Sequence, residues 1–349
     1  MGSTAIQLKK GSLELQEVVH MWKFLIRRLL LGLLIVVLGA FVTYAVIRCL
    51  PASYMEKMAR QLAAGSQGRV RFQDMLDILN KQYGMDGDIF SGYAKWFFNA
   101  IQGNFGDSWK YMKPVTEVFS EVIWWSVLMN IITLFVEVLI SIPLGILAAR
   151  KQYHAADYIV TVFALACISL PSFYIGTVLK YVFAVKLNVL PLYGLWGRYY
   201  GQMGFWGKVG DIATHLIMPV ATLAILSIGS LMRYTRTNML EVLNADYIRT
   251  ARAKGLSEKV VINKHAFRNT LIPLVTAFSG LLPSFFGGAM ITETIFQIPG
   301  IGYRSFEAML QGDIPFAMFY TTFLMVLTQV SLILSDIMYA VVDPRVRVN

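Results

Sequence analysis

The sequence predicts an all-α membrane protein. Hydrophobic residues occupy 56% of the 349 positions, charged residues only 15%, and the mean hydropathy is +0.56. A soluble protein needs a larger polar share to cover its surface. Several uncharged runs are also long enough to cross a hydrocarbon core of about 30 Å, which takes about 20 helical residues. We therefore expect a bundle of membrane-spanning helices.

The first predicted span is "LLLGLLIVVLGAFVTYAVI" at 29–47. Lys23, Arg27 and Arg28 stand just before it, and the positive-inside rule places them, with residues 1–28, in the cytoplasm. A polar segment with both charge signs follows at 48–117. Because long loops cross the membrane largely regardless of charge, we expect this segment to be extracytoplasmic and to carry short helices on the outer face.

Five further spans are predicted at 122–149, 158–185, 212–231, 271–291 and 316–342. Trp124 and Trp125 mark the outer end of the second span, as an aromatic belt would, and Arg150 and Lys151 close its inner end. The tail at 343–349, "DPRVRVN", is basic. Six spans place both termini in the cytoplasm, and the lysines and arginines of the short loops agree with this orientation at every crossing.

The net charge of +10 would suggest nucleic-acid binding in a soluble protein. Here the cationic residues fit cytoplasmic loops, and no aromatic-basic groove or zinc-finger spacing accompanies them, so no nucleic-acid partner is predicted. Cys49 and Cys167 are far apart in sequence and lie in or beside apolar spans. The four histidines form no ligand-spaced cluster, so neither a disulfide framework nor a metal site is predicted.

Three charged residues fall inside predicted spans, namely Glu137, Lys180 and Asp336. The depths of Glu137 and Lys180 differ by about 15 Å at about 1.5 Å per residue, so we do not expect them to pair. Lys180 is predicted to snorkel to the outer interface. Glu137 and Asp336 each have two interpretations, lining a cavity or making a structural hydrogen bond within the bundle, and the sequence leaves both open.

The stretch 246–269, "DYIRTARAKGLSEKVVINKHAFRN", lies between the fourth and fifth spans. It predicts two short cytoplasmic helices, since Asp246 and Lys254 have the charges that the helix dipole favours at the two ends of the first helix. Gly255 suits the left-handed position after that helix, and Ser257 is predicted to cap the second. An ordinary amphipathic loop is the alternative. Small and apolar side chains offer a surface for another protein: Ala251, Ala253, Leu256, Val260 and Val261.

This stretch resembles the EAA loop of ABC-importer permeases, in the version typical of the oligopeptide/dipeptide/nickel branch. Further segments match in the family's order and spacing, from about Trp22 onward: "GNFGDSW", "SIPLGILAA", "SLPSFYIG", "LPLYG", "ETIFQIPGIG" and "YAVVDPRVR". The chain is most similar in pattern to the B-type permease subunit of an Opp/Dpp system. The matching loop positions are Asp246, Tyr247, Arg249, Thr250, Ala251, Arg252, Ala253, Lys254, Gly255, Leu256, His265, Arg268, Asn269 and Pro273.

The resemblance implies the type I ABC importer permease fold, with a transmembrane domain at 118–342 and a coupling helix at about 244–268. It also implies a second homologous permease subunit, two ATPase subunits or domains, and an extracytoplasmic substrate-binding protein. The chain has no GxxxxGK[ST] phosphate loop, so ATP and Mg²⁺ are expected on the partner subunits, with no enzymatic activity or cofactor in this chain. The implied ATPase contacts are Asp246, Tyr247, Arg249, Ala251, Ala253, Lys254, Gly255, Leu256, His265 and Asn269.

The cargo is predicted to be di- or oligopeptides in a bacterial inner membrane, with nickel chelates or oligosaccharides as alternatives. "ETIFQIPGIGYRSFEAML" is either an outer element touching the binding protein or substrate, or a plain surface turn. A proton-coupled transporter using Glu137 and Asp336 is a rival, but no inverted repeat supports it. A membrane-embedded enzyme would need clustered catalytic residues, which the sequence lacks. Candidate cavity or outer-gate residues are Glu137, Pro171, Glu293, Pro299, Gly300 and Asp336.

Overall fold

The computed structural model describes residues 26–49, 54–65, 71–82 and 87–342, and within these ranges the regular structure is helical, without strands. The chain divides into two compact units, one formed by 1–118 with 308–349 and the other by 119–307. Residues 1–25 of the predicted N-terminal tail, and the whole predicted C-terminal tail at 343–349, lie outside the described residues.

Four helices are long and apolar enough to cross a membrane. They contain the predicted first, second, fourth and sixth spans. Helices α5 (Val115–Arg150) and α8 (Phe205–Leu243) have 36 and 39 residues, so at about 1.5 Å per residue both are longer than a bilayer core is thick. The four helices are α1 (Ile26–Arg48), α5 (Val115–Arg150), α8 (Phe205–Leu243) and α15 (Ile314–Val342).

The predicted third span is bent. Helix α6 (Ala155–Ser169) meets α7 (Ser172–Leu179) at an angle of 98°, and α7 continues as a π-helical segment, Lys180–Lys186. Pro171 causes the break because it has no N–H to continue the helix and disfavours helical backbone at the residue before it. Leu170 is accordingly extended, with φ −89° and ψ 132°. This pair is a broken span or a re-entrant loop, so the described residues hold at most five candidate spans.

The predicted fifth span at 271–291 is not one continuous helix. The region contains three helices, α11 (Phe267–Ser279), α12 (Leu282–Gly287) and α13 (Met290–Phe296). A turn at Gly280 precedes α12. Gly288 ends α12 with φ +72°, a backbone conformation that residues other than glycine rarely adopt. The apolar composition hid these breaks. The number of crossings and the side of each terminus therefore stay predictions.

The first unit confirms that the segment 48–117 carries short helices, namely α2 (Tyr54–Gly65), α3 (Phe72–Gln82) and α4 (Ile89–Ile101). Helix α4 packs on α1, and the Tyr93 hydroxyl donates to the Val37 carbonyl oxygen at 2.6 Å. An apolar core joins these helices to the start of α15. Its buried members are Ala40, Tyr44, Ala59, Leu79, Trp109, Ile314 and Met318.

Asp313 is the buried polar centre of the first unit. Its carboxylate accepts hydrogen bonds from the Ser108 hydroxyl, the Lys110 backbone N–H at 3.1 Å and the Phe316 backbone N–H at 3.1 Å. The Phe316 bond caps the start of α15, and the other two attach the loop after α4 to that start. One carboxylate therefore fixes two segments that are 200 residues apart in sequence.

The second unit is organised around α8, which packs along α6. Gly229 marks their closest approach, since a Cβ there would lie 2.6 Å from the Ala164 carbonyl oxygen. Arg236 binds Asp157 with two hydrogen bonds, Nε to Oδ1 at 2.6 Å and Nη2 to Oδ2 at 2.9 Å. The unit ends in α14 (Ile301–Gln311), which continues into the first unit.

We predict that Asp313→Ala lowers the free energy of unfolding by about 2–3 kcal/mol, because it leaves buried donors without an acceptor. Thermal unfolding of the purified chain in detergent measures the change. Asp74→Ala is the control, since Asp74 pairs with Arg71 on an exposed surface, where ion pairs contribute little. Equal effects of the two substitutions would contradict the role of Asp313.

Candidate functional site

The predicted helix pair is present, and its turn forms at the predicted glycine. Helix α9 (Asp246–Ala253) ends at Lys254, and Gly255 follows with φ +77°. A Cβ on Gly255 would meet nothing within 4 Å, so the position requires glycine for its backbone conformation and not for space.

The second helix starts with a different stabilising contact from the predicted one. Ser257 occupies the position before α10 (Glu258–Val260), but its side chain makes no capping hydrogen bond. Arg252 instead binds the Glu258 carboxylate across the turn, Nη2 to Oε1 at 2.8 Å and Nε to Oε2 at 3.2 Å. This guanidinium lowers the pKa of Glu258 below its usual value. Helix α10 runs through a π-helical segment, Val261–Ala266, into α11.

The inner face of the helix pair packs on its own chain. Ala251 and Val261, which were predicted to face another protein, are buried. Ile248 and Ala251 are three residues apart on one face of α9, and that face meets the end of α5 and the inner part of α8. The prediction is therefore wrong for these two residues, because the apolar face is covered by α5 and α8. The buried cluster contains Ala149, Met239, Ile248, Ala251, Val261, Ile262 and Ala266.

The outer face keeps most of the predicted contact residues. Tyr247 and Leu256 are exposed by 48% and 40%, so two apolar side chains stand on a basic surface. His265 is half-buried, and its carbonyl oxygen accepts from the Asn269 amide at 2.7 Å. This combination suits a protein partner, since exposed apolar groups rimmed by polar ones are typical of interaction surfaces. The exposed members are Asp246, Tyr247, Arg249, Ala253, Lys254, Gly255, Leu256 and Asn269.

A polar stripe runs along α5, and the sequence analysis identified only one of its members. The spacing of three or four residues puts all members on one helix face. Near the C-terminal end of α5, the Ser141 hydroxyl donates to the Ile228 carbonyl oxygen at 3.2 Å, and a Cβ on Gly145 would lie 2.8 Å from the Met232 carbonyl oxygen. The stripe therefore holds α5 tightly against α8. Its members are Ser126, Asn130, Thr133, Glu137, Ser141 and Gly145.

The two charged residues that were predicted inside spans of the second unit are not paired with each other. Glu137 is half-buried and lies close to Ser227 on α8, whose hydroxyl donates to the Leu223 carbonyl oxygen at 2.8 Å. Lys180 Nζ donates to the Ile295 carbonyl oxygen at 2.7 Å, in the last turn of α13. The prediction that they do not pair is confirmed. The ammonium group of Lys180 caps the C-terminus of α13, where positive charge is stabilised, and its snorkelling to the outer interface stays a prediction.

Glu293 is fully buried and joins three segments. Oε1 accepts from the Ser126 hydroxyl at 2.7 Å and from the Ala289 N–H at 3.0 Å, and Oε2 accepts from the Tyr303 N–H at 2.8 Å. The Ser126 hydroxyl in turn accepts from the Ile301 N–H at 2.8 Å. The carboxylate therefore ties α5 to the starts of α13 and α14.

The segment "ETIFQIPGIG" closes around this carboxylate without free space. A Cβ on Gly300 would lie 2.5 Å from the Glu293 carboxylate and from the Ser126 hydroxyl oxygen, and Pro299 is half-buried beside it. Ile298 and Ile301 are fully buried. The segment is thus a packed junction, and the interpretation as a plain surface turn is wrong.

The remaining cavity candidates have structural positions. Pro171 makes the bend between α6 and α7. In the first unit, Asp336 Oδ2 lies 3.0 Å from Arg28 Nη2, so this acid forms an ion pair between α1 and α15. The ion pair agrees with the interpretation of Asp336 as a structural partner, and the two interpretations of Glu137 stay predictions.

Comparison with known proteins settles the family. The model of the family described as "Binding-protein-dependent transport system inner membrane component" matches residues 141–348, a range that includes the helix pair and most of the Glu293 junction. The chain belongs to this family. It is therefore a multi-pass inner membrane component of a transport system, and the resemblance found in the sequence is confirmed.

Similarity to individual permeases extends along almost the whole chain. It is 34% identical to the oligopeptide transport system permease protein AppB of Bacillus subtilis over 324 residues, which is 93% of this chain and 98% of that protein. Identity to the dipeptide transport system permease protein DppB is 34% for the Lactococcus lactis protein, over 78% of this chain and 86% of that protein. Identity to DppB of Escherichia coli K12 is 30%, over 94% of this chain and 99% of that protein.

We predict that Gly300→Ala destabilises the Glu293 junction by about 1–3 kcal/mol, because the new methyl group overlaps the buried carboxylate. The readouts are the yield of monodisperse protein in detergent and its thermal unfolding. Gly210→Ala is the matched control, since a Cβ there meets nothing within 4 Å. A Gly300→Ala protein as stable as the control would contradict the packing described here.

Proposed function

We propose that this chain is the permease subunit of an ATP-driven, binding-protein-dependent importer of di- and oligopeptides. The observation that carries the proposal is the similarity, over nearly the full length, to permeases named for oligopeptide and dipeptide transport. Those names favour peptides over nickel chelates or oligosaccharides. The ion pair of Asp336 with Arg28 weakens the case for proton coupling, because this acid does not need a transported proton to explain its place.

The proposed architecture has six crossings with both termini in the cytoplasm. The bent pair α6–α7 would be one crossing, and the broken segment α11–α13 another. Together with a second homologous permease, the chain would form half of the translocation pathway. Two ATPase subunits would bind ATP and Mg²⁺ on the cytoplasmic side, and a substrate-binding protein would deliver peptide on the other side.

In this proposal the outer face of the helix pair contacts an ATPase subunit. The inner face is packed on the ends of α5 and α8, so the pair cannot move without moving those helices. Close packing transmits a displacement because packed interiors deform little. Closure of the ATPase dimer would thus reorient α5 and α8 together, as a rigid-body transition.

We predict that Leu256→Asp or Tyr247→Asp uncouples ATP hydrolysis from transport, because each puts a charge into the proposed contact surface. Uptake into proteoliposomes should fall at least about tenfold, as for a central interface residue, while the chain folds normally. Ala251→Leu is a contrasting variant. Because Ala251 is buried within the chain itself, this substitution should lower the stability of the protein. Normal uptake by well-folded Tyr247→Asp and Leu256→Asp transporters would contradict the assigned surface.

Reconstitution of the chain with its partner subunits tests the function directly. We expect ATP to drive uptake of labelled peptides in the presence of the binding protein, and a non-hydrolysable analogue not to support it. Uptake that continued without ATP and followed a pH gradient would instead support a secondary transporter. Import of nickel chelates or oligosaccharides without peptides would overturn the assigned cargo.

A further inference from the structure

A cavity of about 450 Å³ lies in the first unit, between α1, α3, α4, the "GNFGDSW" loop and the start of α15. Its volume is within the range of small-molecule sites. The mechanism proposed above does not use it. Its α1, α3, α4 and loop residues also precede the part of the chain that the family model matches.

The walls combine aromatic rings with cationic groups. Lys81 on α3 and Lys95 on α4 both line the cavity, and neither makes an ion pair with any described residue. Asp107 is the one acid among the described lining residues. The cavity thus has an excess of positive charge beside apolar surface, which favours an anionic ligand with an apolar part. The aromatic lining residues are Tyr44, Trp96, Phe105 and Trp109.

Trp96 gives one wall of the cavity a fixed position. Its ring stacks on Tyr93, whose hydroxyl is bonded to Val37. Its indole Nε1 is buried away from the cavity, so Trp96 contributes an aromatic surface to the wall and not a hydrogen-bond donor.

The loop that forms one wall is anchored on both sides. Gly106 has φ +82°, and its N–H donates to the Asn104 side-chain oxygen at 3.0 Å. Asp313 holds Ser108 and Lys110 further along. The wall is therefore formed before any ligand arrives, which lowers the entropic cost of binding.

We propose that this cavity binds the carboxylate of a small amphipathic molecule. The ammonium groups of Lys81 and Lys95 would bind the carboxylate, and the aromatic walls would contact an apolar side chain. The choice of a short peptide, bound by its C-terminal carboxylate, rests on the proposed function. Asp107 would then be available to the ammonium group at the other end of the peptide.

The test compares Phe-Leu with its C-terminal amide, using the intact transporter in nanodiscs without the binding protein. Calorimetry should show the acid binding about tenfold more tightly, since a charge-assisted hydrogen bond is lost in the amide. Lys81→Gln and Lys95→Gln should abolish this preference. Trp96→Phe keeps an aromatic ring in the wall and should keep the preference for the acid over the amide. Lys208→Gln, the same change outside the cavity, is the control, and thermal unfolding shows that each variant is folded.

Equal binding of acid and amide, or wild-type binding by folded Lys81→Gln and Lys95→Gln variants, would overturn the site. A third outcome would also overturn the site: the lysine substitutions weaken docking of the binding protein but leave the binding of free peptide unchanged. The lysines would then bind a carboxylate of the binding protein. Uptake of the same peptide into proteoliposomes is measured separately. Import without carboxylate-dependent binding refutes this site alone, whereas absence of any import refutes the proposed function.

Discussion

The second unit depends on satisfying the backbone polar groups that a broken helix exposes. Where a helix crossing lipid is interrupted, its free N–H and C=O groups must find partners inside the protein. Helix α5 supplies them. The Asn130 amide donates to the carbonyl oxygens of Ser284 and Phe285 at 3.2 Å each, at the end of α12. Ser126 and Glu293 accept the N–H groups at the starts of α13 and α14.

The same face of α5 links this junction to the helix pair. From Ser126 the polar stripe continues to Ser141 and Gly145, where α5 and α8 are in close contact. One turn further, Ala149 is buried against the helix pair. A movement of the helix pair would therefore act on the helix that holds the Glu293 junction together, about 35 Å away at 1.5 Å per residue. In the proposed importer, coupling would thus act through the same helix that holds the Glu293 junction.

Much of the local structure could be predicted because its causes are local. Gly255 could be placed from helix-end chemistry, and four long helices could be placed from hydropathy alone. The breaks at Pro171 and Gly288 have visible signals, but the apolar composition outweighed them. The stripe on α5 could have been found from its spacing. The burial of Ala251 and the partners of Glu293 could not have been found in this way, because both depend on contacts with residues far away in sequence.

The buried acids bear on how the proposed importer would receive energy. Within the described residues, Glu293 accepts hydrogen bonds on both carboxylate oxygens, and Asp336 lies against Arg28. An ion-coupled carrier needs an acid whose partner changes during transport, whereas each of these acids holds helices or helix ends together. The chain also has no phosphate loop of its own. In the proposed importer, work would therefore arrive through a surface. The exposed side of the helix pair is the candidate for that surface, since its other side is packed on α5 and α8.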